Sequence, residues 1–279
     1  MKKHIYLFVF ISLALSFLFV SCKKDDEDPE NPSTKTLTVN LGVDRILPEG
    51  DSTQLDAGYP GSTYLWSTGA ITQKIIADTA GNYWVKVMKG DSTGSDTVKI
   101  NLSYKLSKIE TDFGTMLLWL YPKTPLHRNN FIKLTSDHFY DSVIFHRVIN
   151  NFVIQGGDPT GVGNGGPGYT IPAEIMSSIK HVNGAVGAAR LSDDINPNKE
   201  SNGSQFYIVD NINGTPSLDG RYTVFGIVID GLTTVDAISQ VPTDLSNDRP
   251  LTNVYMTKVS IVNYTEQELK DNFGFTIPK

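Results

Sequence analysis

Arg147 and Gln155 lie in FHRVINNFVIQGGDP, Phe145 to Pro159, an apolar stretch patterned as strand, turn and strand. A guanidinium on a half-buried sheet is costly unless its donors are used, so this pair asks for a task. Neighbours on a strand point to opposite faces, which separates His146 from Arg147. For Arg147 to meet Gln155, the turn must hold an odd number of residues. Asn150-Asn151-Phe152 pairs 147 with 155, whereas a two-residue Asn-Asn turn pairs 148 with 153 and sends the polar side chains to opposite faces. Asn151 tolerates the left-handed conformation that a three-residue hairpin needs. In that register Arg147, Val153 and Gln155 share one surface and Phe152 leans over its end. From spacing alone, an ordinary arginine on a solvated strand fits equally well.

Other chemistries lack their residues. Cys22 is the only cysteine, no HExxH occurs, and His127, His138, His146 and His181 lack metal-ligand spacing. GVGNGGPG, Gly161 to Gly168, lacks the Lys-Ser or Lys-Thr of a phosphate loop and reads as a structural surface loop. Neither a metal nor another cofactor is expected. The Asn-x-Ser/Thr sequons at Asn101, Asn202, Asn213 and Asn263 are chance occurrences if the chain is bacterial.

The elements that must position these residues fall into two textures. Up to Leu102 the chain runs in short alternating stretches: LTVNLG, STQLDAG, STYLWSTG, GNYWVKVMKG and DTVKINL. In NYWVKVM, Tyr83, Val85 and Val87 share one face and Trp84, Lys86 and Met88 the other, as in a strand. Such spacing predicts a small β-sandwich over 36–103, with Trp66 filling much of its core. Tyr59, Tyr64, Trp66 and Trp84 could form a sugar platform, against the plainer reading of core and turn residues. After Ser103-Tyr104-Lys105, a hairpin turning at Asp112-Phe113-Gly114 is predicted. A helix follows in which Phe131, Leu134 and His138 share a face, then further strands, a short helix over Asp236–Gln240 and a closing strand. This mainly β pattern with two helical segments lacks strict βαβ alternation.

The chain has 279 residues and a net charge of −6, enough length for two domains and no basic stripe to favour nucleic acid. A basic start and an apolar run from Ile5 to Val20 end at Ser21-Cys22, as in an export signal. The stretch resembles a bacterial lipoprotein signal, residues 1–21, with Cys22 as the lipidated first residue; Phe19 stands where such signals prefer Leu. An uncleaved anchor or a different cut remain alternatives. KKDDEDPENPSTKT then reads as a flexible tether over 22–35, and its Lys-Asp-Asp resembles the outer-membrane export signal of Bacteroidetes lipoproteins. Residues 36–103 resemble the immunoglobulin-like modules of cell-surface proteins in the same phylum, which implies a spacer or a weak binding module.

FHRVINNFVIQGGDPTGVGNGGPGY, NGSQFYI and LDGRYTVFG, three blocks in order, resemble the cyclophilin family of peptidyl-prolyl isomerases from about Ile109 to Val262. The resemblance implies an eight-stranded antiparallel barrel closed by two helices, over 106–264, followed by a C-terminal extension, 265–279. By motif position it puts the catalytic arginine on Arg147, its supporting glutamine on Gln155 and the proline-pocket aromatic on Phe152. Val153, Ala189, Arg190, Gln205, Tyr207, Leu218 and Tyr222 complete the substrate site. Several positions depart from the common pattern: Val153 for Met, Arg190 for Asn, Tyr207 for Phe, Tyr222 for His and Ser217 for the Trp associated with cyclosporin. The implied enzyme acts on X-Pro bonds of exported or surface proteins from a lipid anchor on the outer membrane, and is a monomer. The alternatives are a non-catalytic cyclophilin-like binding module or chaperone, and an adhesin or glycan binder built on the N-terminal segment.

Overall fold

The computed structural model describes residues 35–278. The export signal, Cys22 and all of the tether but Lys35 lie outside the described residues. Among those described, the chain is mainly β with three helices.

The first strands are β1 (Lys35–Thr36), β2 (Arg45–Pro48), β3 (Thr53–Asp56), β4 (Thr63–Trp66), β5 (Lys74–Ala77), β6 (Gly81–Lys89) and β7 (Ser92–Thr111). β4, β6 and β7 are successive antiparallel neighbours, β2 runs parallel to β7, and β3 pairs with β5 in a second sheet. Trp66, Leu55, Val85, Val87, Val98 and Ile100 form their shared core, as alternation requires. The Trp66 indole is satisfied by the Thr72 carbonyl at 2.8 Å. Residues 37–42 form no strand, contrary to the pattern; Leu41 N–H instead donates to Asp96 Oδ2 at 2.7 Å. Tyr64 and Trp66 are buried while Trp84 is exposed on the opposite face, so the four aromatic residues make no common platform.

The remainder comprises β8 (Gly114–Leu120), α1 (Pro125–Ser136), β9 (Val143–Ile149), β10 (Val153–Gly156), β11 (Thr170–Ile171), β12 (Ala185–Ala188), β13 (Ser201–Asn202), β14 (Phe206–Val209), β15 (Val224–Asp230), α2 (Leu232–Ser239), β16 (Thr243–Asp244), β17 (Arg249–Pro250), β18 (Tyr255–Thr265) and α3 (Glu266–Phe273). Strand pairing runs β18-β9-β10-β14-β12-β15-β8-β7 and returns to its start because β18 also pairs with β7. The core side of this cycle holds Phe145, Val148, Ile154, Phe206 and Ile208, with α1 contributing Phe131 and Leu134 and α2 contributing Val235 and Ile238.

Three expectations need correction. α1 ends at Ser136, and His138 follows it exposed at φ 59°, off the predicted helical face. α2 starts at Leu232 rather than Asp236. The C-terminal segment forms a third helix, with Thr265 and Glu268 closing a capping box and Gly274 ending it in the left-handed conformation. Leu269, Phe273, Phe275 and Ile277 cover Leu117 and Trp119 on the outer side of β8. Both faces of β8 are therefore buried, which accounts for its unbroken MLLWL.

Candidate active site

The hairpin of β9 and β10 sets the site. Residues 150–152 form its turn with Asn151 at φ 57°, and the register pairs Arg147 with Gln155. Gln155 lies opposite Tyr207 on β14, which lies opposite Gly187 on β12. Cross-strand partners point the same way, so Arg147, Gln155 and Tyr207 stand side by side. Gly187 supplies the room for this row: a Cβ there would lie 2.2 Å from Tyr207 Cζ. On the opposite side, Val148, Ile154 and Phe206 are locked in the core, so a one-residue slip would bury the guanidinium.

Arg147, Phe152, Val153, Gln155, Ala189, Arg190, Tyr207, Leu218 and Tyr222 line one cleft of about 280 Å³. Gln205 does not line it. This residue is buried behind Gln155, with Nε2 donating to the carbonyls of Gly163 (3.1 Å) and Gly165 (2.8 Å). Its Oε1 accepts from Gln155 Nε2 at 3.2 Å, leaving Gln155 Oε1 to accept from Arg147 Nη1 at 3.4 Å. Each amide is thus oriented by the one behind it.

That relay begins at Asp158. Its carboxylate accepts from the Thr160 amide and hydroxyl and from the amides of Val162 and Gly163, fixing the Gly-rich loop whose carbonyls hold Gln205. Burial pushes the Asp158 carboxyl up, but hydrogen bonds from Thr160, Gly165 and Gly163 outweigh it and bring it to about 2. The loop is structural, as the sequence implies, and it also orients the polar row.

Tyr207 has a second set of partners. Its hydroxyl is 2.9 Å from His181 Nε2, and His181 Nδ1 is 2.9 Å from Asp219 Oδ1. Burial lowers the His181 pKa, opposed by Asp219, and burial raises that of Tyr207 well above its ordinary value. A neutral imidazole therefore donates to Asp219 and accepts from Tyr207. Tyr222 meets Tyr207 edge-on at 6.0 Å between centroids, and the Arg190 guanidinium lies 4.6 Å from the Tyr222 ring centre.

Asp248 is a further neighbour: Arg147 Nε donates to its Oδ2 at 3.3 Å. Nothing in the sequence spacing signals this contact, because the two residues are 101 positions apart. His181 and Asp219 were equally silent, whereas the Asp-x-Thr after Gly157 is a loop-cap signal that the sequence reading did not use.

A family model described as cyclophilin type peptidyl-prolyl cis-trans isomerase/CLD matches residues 106–261, more than half of the chain. The chain belongs to this cyclophilin family. Peptidyl-prolyl cis-trans isomerase-like 1 of Neurospora crassa is 42% identical over 164 residues, spanning 57% of this chain and 96% of that protein. The human isomerase-like 3 is 38% identical over 158 residues, spanning 55% and 93%. The crystal structure of a Cryptosporidium parvum cyclophilin superimposes with a TM-score of 0.52 at 32% identity, covering 57% of this chain and 97% of that one. As a cyclophilin, the chain is an enzyme of the isomerase class.

Proposed function

We infer that this cyclophilin interconverts cis and trans X-Pro bonds by using Arg147 to stabilise the twisted amide. Amide resonance sets a barrier of roughly 18–20 kcal/mol to rotation. At the twisted transition state the prolyl nitrogen regains a lone pair, which accepts a hydrogen bond that the planar amide cannot. The observation that carries this reading is Arg147 at the wall of a cleft that also presents Phe152, Val153 and Leu218, with only Nε and one Nη1 hydrogen engaged inside the protein. Phe152, Val153, Tyr207 and Leu218 supply the surfaces that would grip the proline ring, while Ala189, Arg190 and Tyr222 form the rim beside them. No proton transfer or covalent step is needed.

Accelerating a reaction from tens of seconds to milliseconds requires about 10⁴-fold, or roughly 5–6 kcal/mol. One charge-assisted hydrogen bond contributes about 1.5–3 kcal/mol. The pocket must supply the rest by excluding water and selecting the twisted geometry. The test is exchange NMR on an X-Pro peptide: Arg147→Ala and Arg147→Lys should each lose most of the acceleration, the latter because an ammonium lacks the planar fork. A lysine variant within twofold of wild type would refute the mechanism. A wild type that binds the peptide without speeding exchange would make the cleft a reader of proline segments.

The same reading extends to organisation and place. The closed pairing cycle is an eight-stranded barrel, and the β1–β7 segment is an immunoglobulin-like spacer ahead of it. The basic and apolar leader ending at Cys22 supports a lipid-anchored, exported protein at the outer membrane, whose clients would be exported or surface proteins and which would act as a monomer. The proposed divisions are 1–21, 22–35, 36–103, 106–264 and 265–279. Mass spectrometry of the mature chain tests the anchor: a lipid-modified N-terminal Cys22 agrees, and an unmodified start elsewhere refutes it.

A further inference from the structure

Arg147 is held from two directions, and the second has no counterpart in the relay behind Gln155. We propose that Asp248 is a positioning residue for the isomerisation, fixing the plane of the Arg147 guanidinium; this rests on the reading that Arg147 stabilises the twisted amide. The contact from Arg147 Nη1 to Gln155 Oε1, at 3.4 Å, is a single point about which the fork can pivot. The contact from Nε to Asp248 Oδ2, at 3.3 Å, is a second point, and together with the covalent attachment at Cδ the two fix a plane. Three of the five guanidinium N–H bonds then remain for the substrate.

Asp248 is not a freely moving surface acid. It sits at φ 59° in the turn between β16 and β17. Its N–H donates to the Asp244 carbonyl and its own carbonyl accepts from Val148 N–H, each at 2.8 Å. This second bond attaches the turn to β9 beside Arg147. The next residue, Arg249, donates from Nη1 to the Gly161 carbonyl in the Asp158 loop. The carboxylate is therefore presented from a backbone tied to both the catalytic strand and the loop that orients Gln205.

Charge and geometry predict opposite effects. A carboxylate beside the guanidinium weakens the positive potential offered to the amide nitrogen, so on charge alone its removal would speed catalysis. On geometry, removal lets the fork swing and slows it. Both side chains are more than a third exposed, so solvent screens the charge effect. Orientation is unaffected by that screening, and small misplacements of a catalytic group are costly.

The experiment measures kcat and KM on an X-Pro peptide for full-length wild type, Asp248→Ala, Asp248→Asn, Arg147→Ala and the Arg147→Ala/Asp248→Ala pair. The Arg147 Nε–H NMR signal is recorded for the chains that retain that arginine. Asp248→Ala should lower kcat about tenfold with KM within about twofold. Asp248→Asn, which keeps an acceptor, should recover most of the rate. The Nε–H signal should move in the alanine variant and return toward its wild-type position in the asparagine variant. In the Arg147→Ala background, Asp248→Ala should change nothing further. If Arg147→Ala is inactive while Asp248→Ala keeps or exceeds wild-type kcat, the positioning role is overturned and the arginine mechanism stands. If Arg147→Ala remains active, both fall. If Asp248→Ala misfolds, Asp248→Ser takes its place, and a wild-type kcat with an unmoved Nε–H signal in that variant overturns the role.

Discussion

The Asp158 carboxylate anchors the relay that ends at Arg147, and its contribution is visible as a pH dependence. The carboxyl is brought from 3.8 to about 2, which corresponds to about 2.4 kcal/mol of folding stability at neutral pH. A lowered native pKa means that the unfolded chain takes up protons first as pH falls. The stabilisation is thus complete above about pH 5, falls to about 1.3 kcal/mol at pH 3 and vanishes below the native value. Replacing Asp158 with Asn removes this dependence along with some of the loop's hydrogen bonds. Urea unfolding of wild type and Asp158→Asn at pH 5 and pH 3 isolates the effect, because the other carboxylates largely cancel in the difference. The gap between the proteins should narrow by about 1 kcal/mol on acidification. Catalysis should fall in the variant as Gln205 loses its fixed carbonyl partners. A gap unchanged between the two pH values would refute the argument that these hydrogen bonds outweigh burial.

Gly187→Ala should expel the Tyr207 ring from its seat, since the new Cβ would meet Cζ at 2.2 Å; a loss of at least about tenfold in kcat/KM on an X-Pro peptide, with the circular dichroism of a folded chain, is the expected result. His127, His146 and His181 have pKa values lowered by burial, so the unfolded chain binds protons more readily than the native one. Stability should fall as pH drops from 7.5 toward 5.5, measured as a lower urea midpoint, and a midpoint that rises would contradict the burial of these rings.

The hairpin register was legible because two demands coincide on it. Val148 and Ile154 need the core while Arg147 and Gln155 need a common outer face, and only an odd turn satisfies both. Asn151 then takes the left-handed position. The helix at 265–273 has a sequence signal in Thr265 and Glu268, which the expectation of a C-terminal extension did not draw on. His138 was misplaced because its apolar spacing continues past Ser136, where the chain has already turned into positive φ. The change of texture after Ser103–Lys105 marked a change of neighbours rather than a break. β7 runs unbroken from Ser92 to Thr111, pairing first with β6 and β2, then with β8 and β18. Alternation within a strand records which side is buried, not which partner lies beside it. Contacts such as Gln155 with Gln205 and Arg147 with Asp248 have no local signature at all, since the closed set of strands brings their segments together.

Three of the departures that the family resemblance marks, at 190, 207 and 222, form a linked set. A hydroxyl added to a buried ring at 207 would be an orphan, costing about 1–3 kcal/mol. His181 Nε2 accepts it, and Asp219 holds that imidazole in the tautomer that can. A guanidinium at 190 likewise needs partners: its Nη2 pairs with Asp193 at 2.6 Å, its Nε donates to the Arg221 carbonyl at 3.0 Å, and its face lies over Tyr222. Tyr222 then meets Tyr207 edge to face. From Asp193 through Arg190, Tyr222, Tyr207 and His181 to Asp219, each side chain touches the next. One side of the cleft is therefore a continuous wall, and exchanging Tyr207 for a residue without a hydroxyl leaves the buried His181 Nε2 without its partner.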